Sequence, residues 1–422
     1  MKPARYSISR QKACQQCSVS KAKCDRVEGG CSRCVQRSLH CTYPQAAAHR
    51  VGAARQSPAR SIQSATCSAH SSIERDVVAP SESPSTGSRY PFDLSFAAAA
   101  AAGAAAAAAA PAPSPAEGFE ILDFDHLRLT CPINADGIAN RWLRAYIPLP
   151  AQKVKEYPDA TKSFLHRMVK SYVAVTIRGH GYPPFIHASQ VAAHLVRPPL
   201  STCLSLVRIC EHQLPGSEGT AADVLQREMS HLYEQRGTYD TITLLCAFQA
   251  YLIFTMVLFF RLEQIANPLL RQAVMNLQEL ACASAKSGLV CEAEQQWLRP
   301  RWESWIVAEA NRRTLYTMYL FDGILSAHDG IPVFVGTELH GLPAPASQTL
   351  WRAQTRLDWE ASYNSHLAEW SEGGLRINEL WQPPEDFSNA DVIKRQGRVD
   401  HWLEGVDEYG TMLYAVTSSI HG

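Results

Sequence analysis

The chain has 422 residues, 46% of them apolar, enough for two or three domains of ordinary size with a sizeable core. Its formal net charge of zero hides an asymmetry: residues 1–60 hold twelve Lys and Arg against only Asp25 and Glu28, and the remainder is acidic by ten charges. A basic head on an acidic body suggests a head that meets a polyanion. The N-terminal stretch MKPARYSISRQK has no apolar run of the kind a secretory signal needs, so export is not expected and thiols should stay reduced.

In chain order, the first feature is a set of six cysteines, Cys14, Cys17, Cys24, Cys31, Cys34 and Cys41. They are spaced C-x2-C-x6-C-x6-C-x2-C-x6-C, two near-identical halves in tandem. In a reducing compartment closely spaced cysteines bind metal more readily than they form disulfides. A structural zinc takes four thiolate or imidazole ligands in a tetrahedron, so six thiolates satisfy two ions only if two sulfurs bridge. The symmetry of the repeat nominates the first cysteine of each half. One zinc then takes Cys14, Cys17, Cys24 and Cys31, and the other takes Cys31, Cys34, Cys41 and Cys14. His40, beside Cys41, is an alternative ligand, although Cys41 alone completes the repeat. So short a segment has almost no apolar core, and two Zn2+ ions should supply its folding energy.

Residues 46–118 are rich in Ala, Ser, Pro and Arg, with alanine tracts at 97–102 and 104–110. An alanine tract without an amphipathic face has nothing specific to pack, and the region is read as a flexible, disordered linker. From residue 119 to 422 the pattern becomes mainly helical. Leu165, Met168, Val169 and Tyr172 share a helix face within 161–172, and Leu225, Met229, Leu232 and Tyr233 repeat that spacing before a stop at Gly237. Residues 241–260, TITLLCAFQAYLIFTMVLFF, are nearly long enough to cross a bilayer. Gln249 and the amphipathic neighbours favour a buried core helix instead, and no membrane partner is expected. Asn267-Pro268 forms a cap-then-proline start, followed by the stripe Leu270, Val274 and Leu277 as far as Gly288. On a helix, Glu309 reaches Arg312 and Arg313 at i+3 and i+4, which is read as a structural ion pair. Few strand-like alternations occur.

The segment ACQQCSVSKAKCDRVEGGCSRCVQRSLHCTY resembles the Zn2Cys6 binuclear cluster of fungal transcription factors, down to the Cys24-Asp25 pair and Tyr43. The resemblance implies a small cluster domain of two short helices over 1–45, the first entering the major groove of double-stranded DNA. It implies that Lys21 reads a CGG-type triplet, with Lys23 at the family's basic position before the third cysteine. Lysine can donate to the paired acceptors on the major-groove edge of guanine. Lys12, Arg26, Arg33 and Arg37 are candidates for phosphate contacts. Three departures stand out: Ser18 and Ser20 occupy usually basic positions, and the loop between the halves ends in Gly29-Gly30 where a proline is usual. Fewer cations should lower affinity and flatten its salt dependence.

The helical region 119–422 loosely resembles the regulatory domain that follows the cluster in many fungal regulators. The residues that carry this are FQAYLIFTMVLFFR at 248–261, the Trp302, Trp305, Glu309, Arg312, Arg313 series, Phe321-Asp322-Gly323, ELHGLPAP at 338–345, and Trp351 with Trp359. Residues 44–90 carry no apolar heptad and are broken by Pro44, Pro58, Pro80 and Pro84, so monomeric binding, or a homodimer through the helical domain, is favoured over a coiled coil. The layout resembles that of pathway-specific regulators of secondary-metabolite genes in the nucleus. The acidic and aromatic tail (Glu385, Asp386, Asp400, Trp402, Glu404, Asp407, Glu408, Tyr409) is read as a solvated helix or a recruiting surface. Two other function classes stay open at this point: an enzyme in 119–422, and a protein-binding module whose cluster does not touch DNA. Against the enzyme, no HExxH, P-loop or GxSxG occurs, and Gly179-His180-Gly181 lacks the third glycine of a dinucleotide fingerprint. His180, His187 and His194 are seven apart, so they could share a helix face, but this is no usual ligand spacing. The remaining cysteines (67, 131, 203, 210, 246, 282, 291) are scattered and taken as core or surface thiols.

Overall fold

The computed structural model describes residues 24–25, 31–37, 122–147, 154–192, 197–212 and 216–418. The chain divides into two units, Met1–Ala109 and Ala110–Gly422. In the first, the described residues contain one short helix, α1 (Ser32–Gln36). The linker expected over 46–118 lies outside the described residues, as does the first helix expected in the cluster.

The second unit is helical around one central element. Its long helices are α2 (Asp159–Arg178), α3 (Pro198–Leu206), α4 (Glu218–Gln235), α5 (Thr241–Phe260), α6 (Pro268–Ser287), α7 (Trp302–His328), α8 (Arg356–Glu369), α9 (Asn389–Gly405) and α10 (Glu408–Ser418). Asp240 starts α5 by accepting the Thr243 N–H at 2.8 Å. The helix then has no polar face at all, so it must be covered on every side, and α2, α3, α4, α6 and α7 pack around it. Of its apolar window 94% is buried, which makes it the core helix expected and accounts for its membrane-like composition. Gln249, wholly buried, donates to the Phe185 carbonyl at 2.9 Å and accepts from Gln190 at 3.0 Å, so its amide is satisfied inside the protein.

Paired strands are confined, among the described residues, to two antiparallel clips, with one isolated bridge between Pro343 and Arg376. β1 (Leu129–Thr130) pairs with β3 (Val290–Cys291) in the register Leu129↔Cys291, and β2 (Val154–Lys155) pairs with β4 (Val333–Phe334) in the register Val154↔Phe334. Gly288 makes the first clip possible. Its φ is +139°, and a Cβ there would meet Leu129 Cβ at 2.2 Å.

Helix α7 is buried on nearly all sides from Trp302 to Phe321. The charged residues inside it are compensated locally. Glu309 accepts from Arg312 Nη2 at 2.8 Å and from Arg313 Nε at 2.7 Å, as the i+3 and i+4 spacing predicts. Arg312 also donates to the Leu289 carbonyl at 2.7 Å, and Arg313 to Asp407 at 2.6 Å. Burial works against ionisation of Glu309, but the two guanidinium groups outweigh it and hold the carboxyl below its ordinary value. Every charge in the cluster has a partner, the condition under which buried ions are tolerated.

The structure corrects the reading of the C-terminal tail. Trp402, Asp407 and Tyr409 are buried, with Asp407 held on Arg313 and the Tyr409 hydroxyl donating to the Arg313 carbonyl at 2.9 Å. Only Glu385, Asp386, Asp400, Glu404 and Glu408 of that group are exposed, so the tail is partly core rather than a solvated helix. The shared helix face considered for the histidines is also overturned. Gly179, at φ +67°, ends α2, with its N–H on the Thr176 carbonyl and the His180 N–H on Val175. His180 therefore lies beyond the helix, while His187 starts a separate 3-10 turn over Ala188–Val191; His194 lies outside the described residues.

Candidate metal centre and nucleic-acid interface

Cys31 immediately precedes α1 in extended conformation, with φ −65° and ψ 146°, and Cys34 follows on the first turn of the helix. Both side chains are completely buried. The helix is closed by backbone bonds from Val35 N–H to the Cys31 carbonyl at 3.0 Å and from Arg37 N–H to Arg33 at 3.2 Å. No amphipathic stripe explains so short a helix, and the two-residue gap is what turns both thiols inward.

Cys24 is brought up to this turn from the other half of the repeat. The sulfurs of Cys24 and Cys31 and a carboxylate oxygen of Asp25 lie within 4.8 Å of one another. Two thiolates bound about 2.3 Å from one tetrahedral zinc stand about 3.8 Å apart, so the approach of Cys24 to Cys31 within 4.8 Å is compatible with their sharing an ion. Asp25 has another task. Its two carboxylate oxygens accept the Ser32 N–H at 3.0 and 3.2 Å, which ties the residue after Cys24 to the first turn of α1. This brace went unassigned in the sequence because it spans seven residues, outside the local capping spacings.

The donor set fits zinc: the buried thiols of Cys31 and Cys34 and the half-buried thiol of Cys24, which lies within 4.8 Å of Cys31, on a segment with almost no apolar core. Cys14, Cys17 and Cys41 lie outside the described residues, as do Lys12, Lys21, Lys23 and Arg26. Of the predicted DNA contacts, Arg33 and Arg37 are described, on or next to α1; Arg33 is half-buried and Arg37 exposed.

Residues 12–50 match the model of the fungal Zn(2)-Cys(6) binuclear cluster domain. The chain carries a Zn2Cys6 domain. The match spans all six cysteines of the tandem repeat, and this domain binds two zinc ions. It makes the protein a zinc-cluster, DNA-binding regulator of transcription. No curated protein and no solved structure gives a match to this chain.

Elsewhere, Cys131, Cys203, Cys210, Cys246, Cys282 and Cys291 are unbridged thiols of the helical unit, and Cys67 lies outside the described residues. Burial pushes the Cys210 thiol up to about 11 and the Cys246 thiol up to about 12, so both stay protonated and inert at neutral pH. Arg141 is the buried cation the sequence did not single out. It donates to Asp322 at 2.7 Å, to Glu338 at 3.2 Å and to the Phe334 carbonyl at 2.9 Å. Its carboxylate partners are 181 and 197 residues away, beyond any local spacing rule.

Proposed function

We propose that this protein is a nuclear, sequence-specific regulator of RNA polymerase II transcription whose two zinc ions are held by Cys14, Cys17, Cys24, Cys31, Cys34 and Cys41. Cys14 and Cys31 bridge. The approach of Cys24 to Cys31 carries this assignment, because the two belong to opposite halves of the repeat and share a ligand set only if a sulfur of the second half bridges back. Lys21 reads a guanine of a CGG-type triplet, while Lys23, Lys12, Arg26, Arg33 and Arg37 hold phosphates. The helical region 119–422 acts as the regulatory domain and supplies whatever homodimer contact forms. The layout further supports a pathway-specific role at a secondary-metabolite gene cluster.

Gel shifts with the full-length, zinc-loaded protein test the reading. A duplex bearing a CGG triplet should be bound in preference to one in which the triplet is scrambled. Lys21→Ala should abolish that preference with a loss of about tenfold or more in affinity, one base contact being worth about 1–3 kcal/mol. Arg37→Ala should instead weaken binding to both duplexes alike and lower the salt slope by about one. Failure to bind any duplex at low salt, with zinc content intact, would overturn the proposal.

A further inference from the structure

Helix α7 is buried on all sides along most of its length, yet one face of its C-terminal third is not packed. Asp322, Leu325 and Ser326 on that helix, and Asp329 at its C-cap, fall at i, i+3, i+4 and i+7 and are only half-buried. They line a cleft of about 470 Å³, within the roughly 300–1,000 Å³ of small-molecule sites. Its other walls are apolar: Trp142, Phe259, Val274, Met275 and Phe334, with Tyr146 exposed on the lining.

The polar groups in the cleft restrict what can enter. Arg141 is fully committed, Nε to Asp322, Nη1 to Glu338 and Nη2 to the Phe334 carbonyl. Arg271 is paired with Asp329 at 2.5 Å. Each cation that lines the cleft thus already faces a carboxylate. Asp322 is less completely used: Oδ2 takes Arg141 at 2.7 Å, whereas Oδ1 has, among the described residues, only the Gln278 amide at 3.4 Å. One helical turn on, the Ser326 hydroxyl lines the same cleft and has no side-chain hydrogen bond among the described residues. An acceptor and a hydroxyl therefore stand side by side on an otherwise apolar, aromatic-walled surface.

We propose that this cleft is a binding site for a small, uncharged, largely apolar ring compound that carries a hydroxyl or N–H donor. The ring system lies between Trp142, Phe259 and Met275, and the donor faces Asp322 Oδ1 and Ser326. A carboxylate in the same place would meet Asp322, with both lining cations already paired and Lys155, a further cation acting on Asp322, outside the lining, so the site favours uncharged donors over anions. This site is independent of the DNA-binding reading: a failed gel shift would leave it standing, and loss of ligand binding would leave the gel shift unaffected.

Titration calorimetry on the full-length, zinc-loaded protein with 2-naphthol, naphthalene and 2-naphthoate tests it. The expected result is saturable binding of 2-naphthol, about tenfold or more tighter than 2-naphthoate. Ser326→Ala should reduce the preference for 2-naphthol over naphthalene about fivefold, the effect of one lost hydrogen bond. Met275→Trp, which fills the cleft, should weaken 2-naphthol at least about tenfold with the thermal midpoint of the ligand-free protein retained. Val274→Phe serves the same purpose if the tryptophan does not fold. Absence of saturable 2-naphthol binding, equal affinity for 2-naphthoate, or undiminished binding in a folded, cleft-filled variant would overturn the proposal.

Discussion

His187 shows how far burial reshapes a single side chain in this protein. Its ring is 2% exposed, edge-on to Trp351 at 4.8 Å between centroids, with Nδ1 2.8 Å from the Ser189 hydroxyl. Burial first, and the nearby Arg313 charge second, push it down to about 4, against smaller opposing contributions from the Trp351 backbone and Glu309. A base whose folded value lies below its unfolded value of about 6.5 is neutral in the native state. Its contribution is therefore complete above about pH 6.5 and is lost as the pH falls from there towards 4. By pH 5 the loss is about 2 kcal/mol. Asparagine keeps an acceptor for the Ser189 N–H but does not titrate, so urea unfolding of His187→Asn should fall less between pH 7 and pH 5 than the wild type by about that amount. Equal falls in the two proteins would show that His187 does not govern acid sensitivity. The seven-residue spacing of His180, His187 and His194 gives no hint of this burial, because the environment of His187 is assembled from Trp302, Trp351 and Arg313, all more than a hundred positions away.

Among the elements, legibility followed the contrast between faces. α2 and α4 have one buried stripe and one wet face, so their spacing is visible, and Asn267 caps α6 as its position before Pro268 predicts, accepting the Leu269 N–H at 2.9 Å. α2 runs past the Tyr172 limit of the visible stripe because Val173, Thr176 and Ile177 continue its buried face up to Gly179. α7 has no such contrast: it is buried almost throughout, so no stripe exists to be seen, and only the Glu309, Arg312, Arg313 spacing betrayed a helix there. In the cluster, α1 is held by a bond that its own sequence does not contain, the Asp25 carboxylate on the Ser32 N–H. Asp25→Ala should cost about 1 kcal/mol, as loss of a helix-start acceptor does. Chelator competition on the full-length protein should then show about fivefold weaker zinc retention, with the stoichiometry still two ions per chain. Unchanged retention would mean that Asp25 contributes nothing to the cluster's stability.

For the whole molecule, the two units draw on different sources of stability. The helical unit buries one continuous apolar cluster from Leu122 to Val416, whereas the only buried side chains among the described residues of the Zn2Cys6 segment are the thiols of Cys31 and Cys34. Structural zinc contributes about 10–16 kcal/mol to folding in small zinc domains. Removing zinc with 1,10-phenanthroline should thus abolish DNA binding while leaving most of the helical circular-dichroism signal at 222 nm; parallel loss of both would contradict a separate hydrophobic core for the second unit. The amino-acid sequence by itself determined the metal chemistry, since ligand type and spacing along six cysteines are local properties, and it determined the helical class, since amphipathic spacing is local too. Only the tertiary structure decided which charges far apart in the chain are buried together, that part of the acidic tail belongs to the core, and that one face of α7 lines a cleft. Those outcomes depend on contacts between residues far apart in the chain, such as Arg313 with Asp407 and Arg141 with Asp322. Burial and the low dielectric that accompanies it exist only once such residues have met.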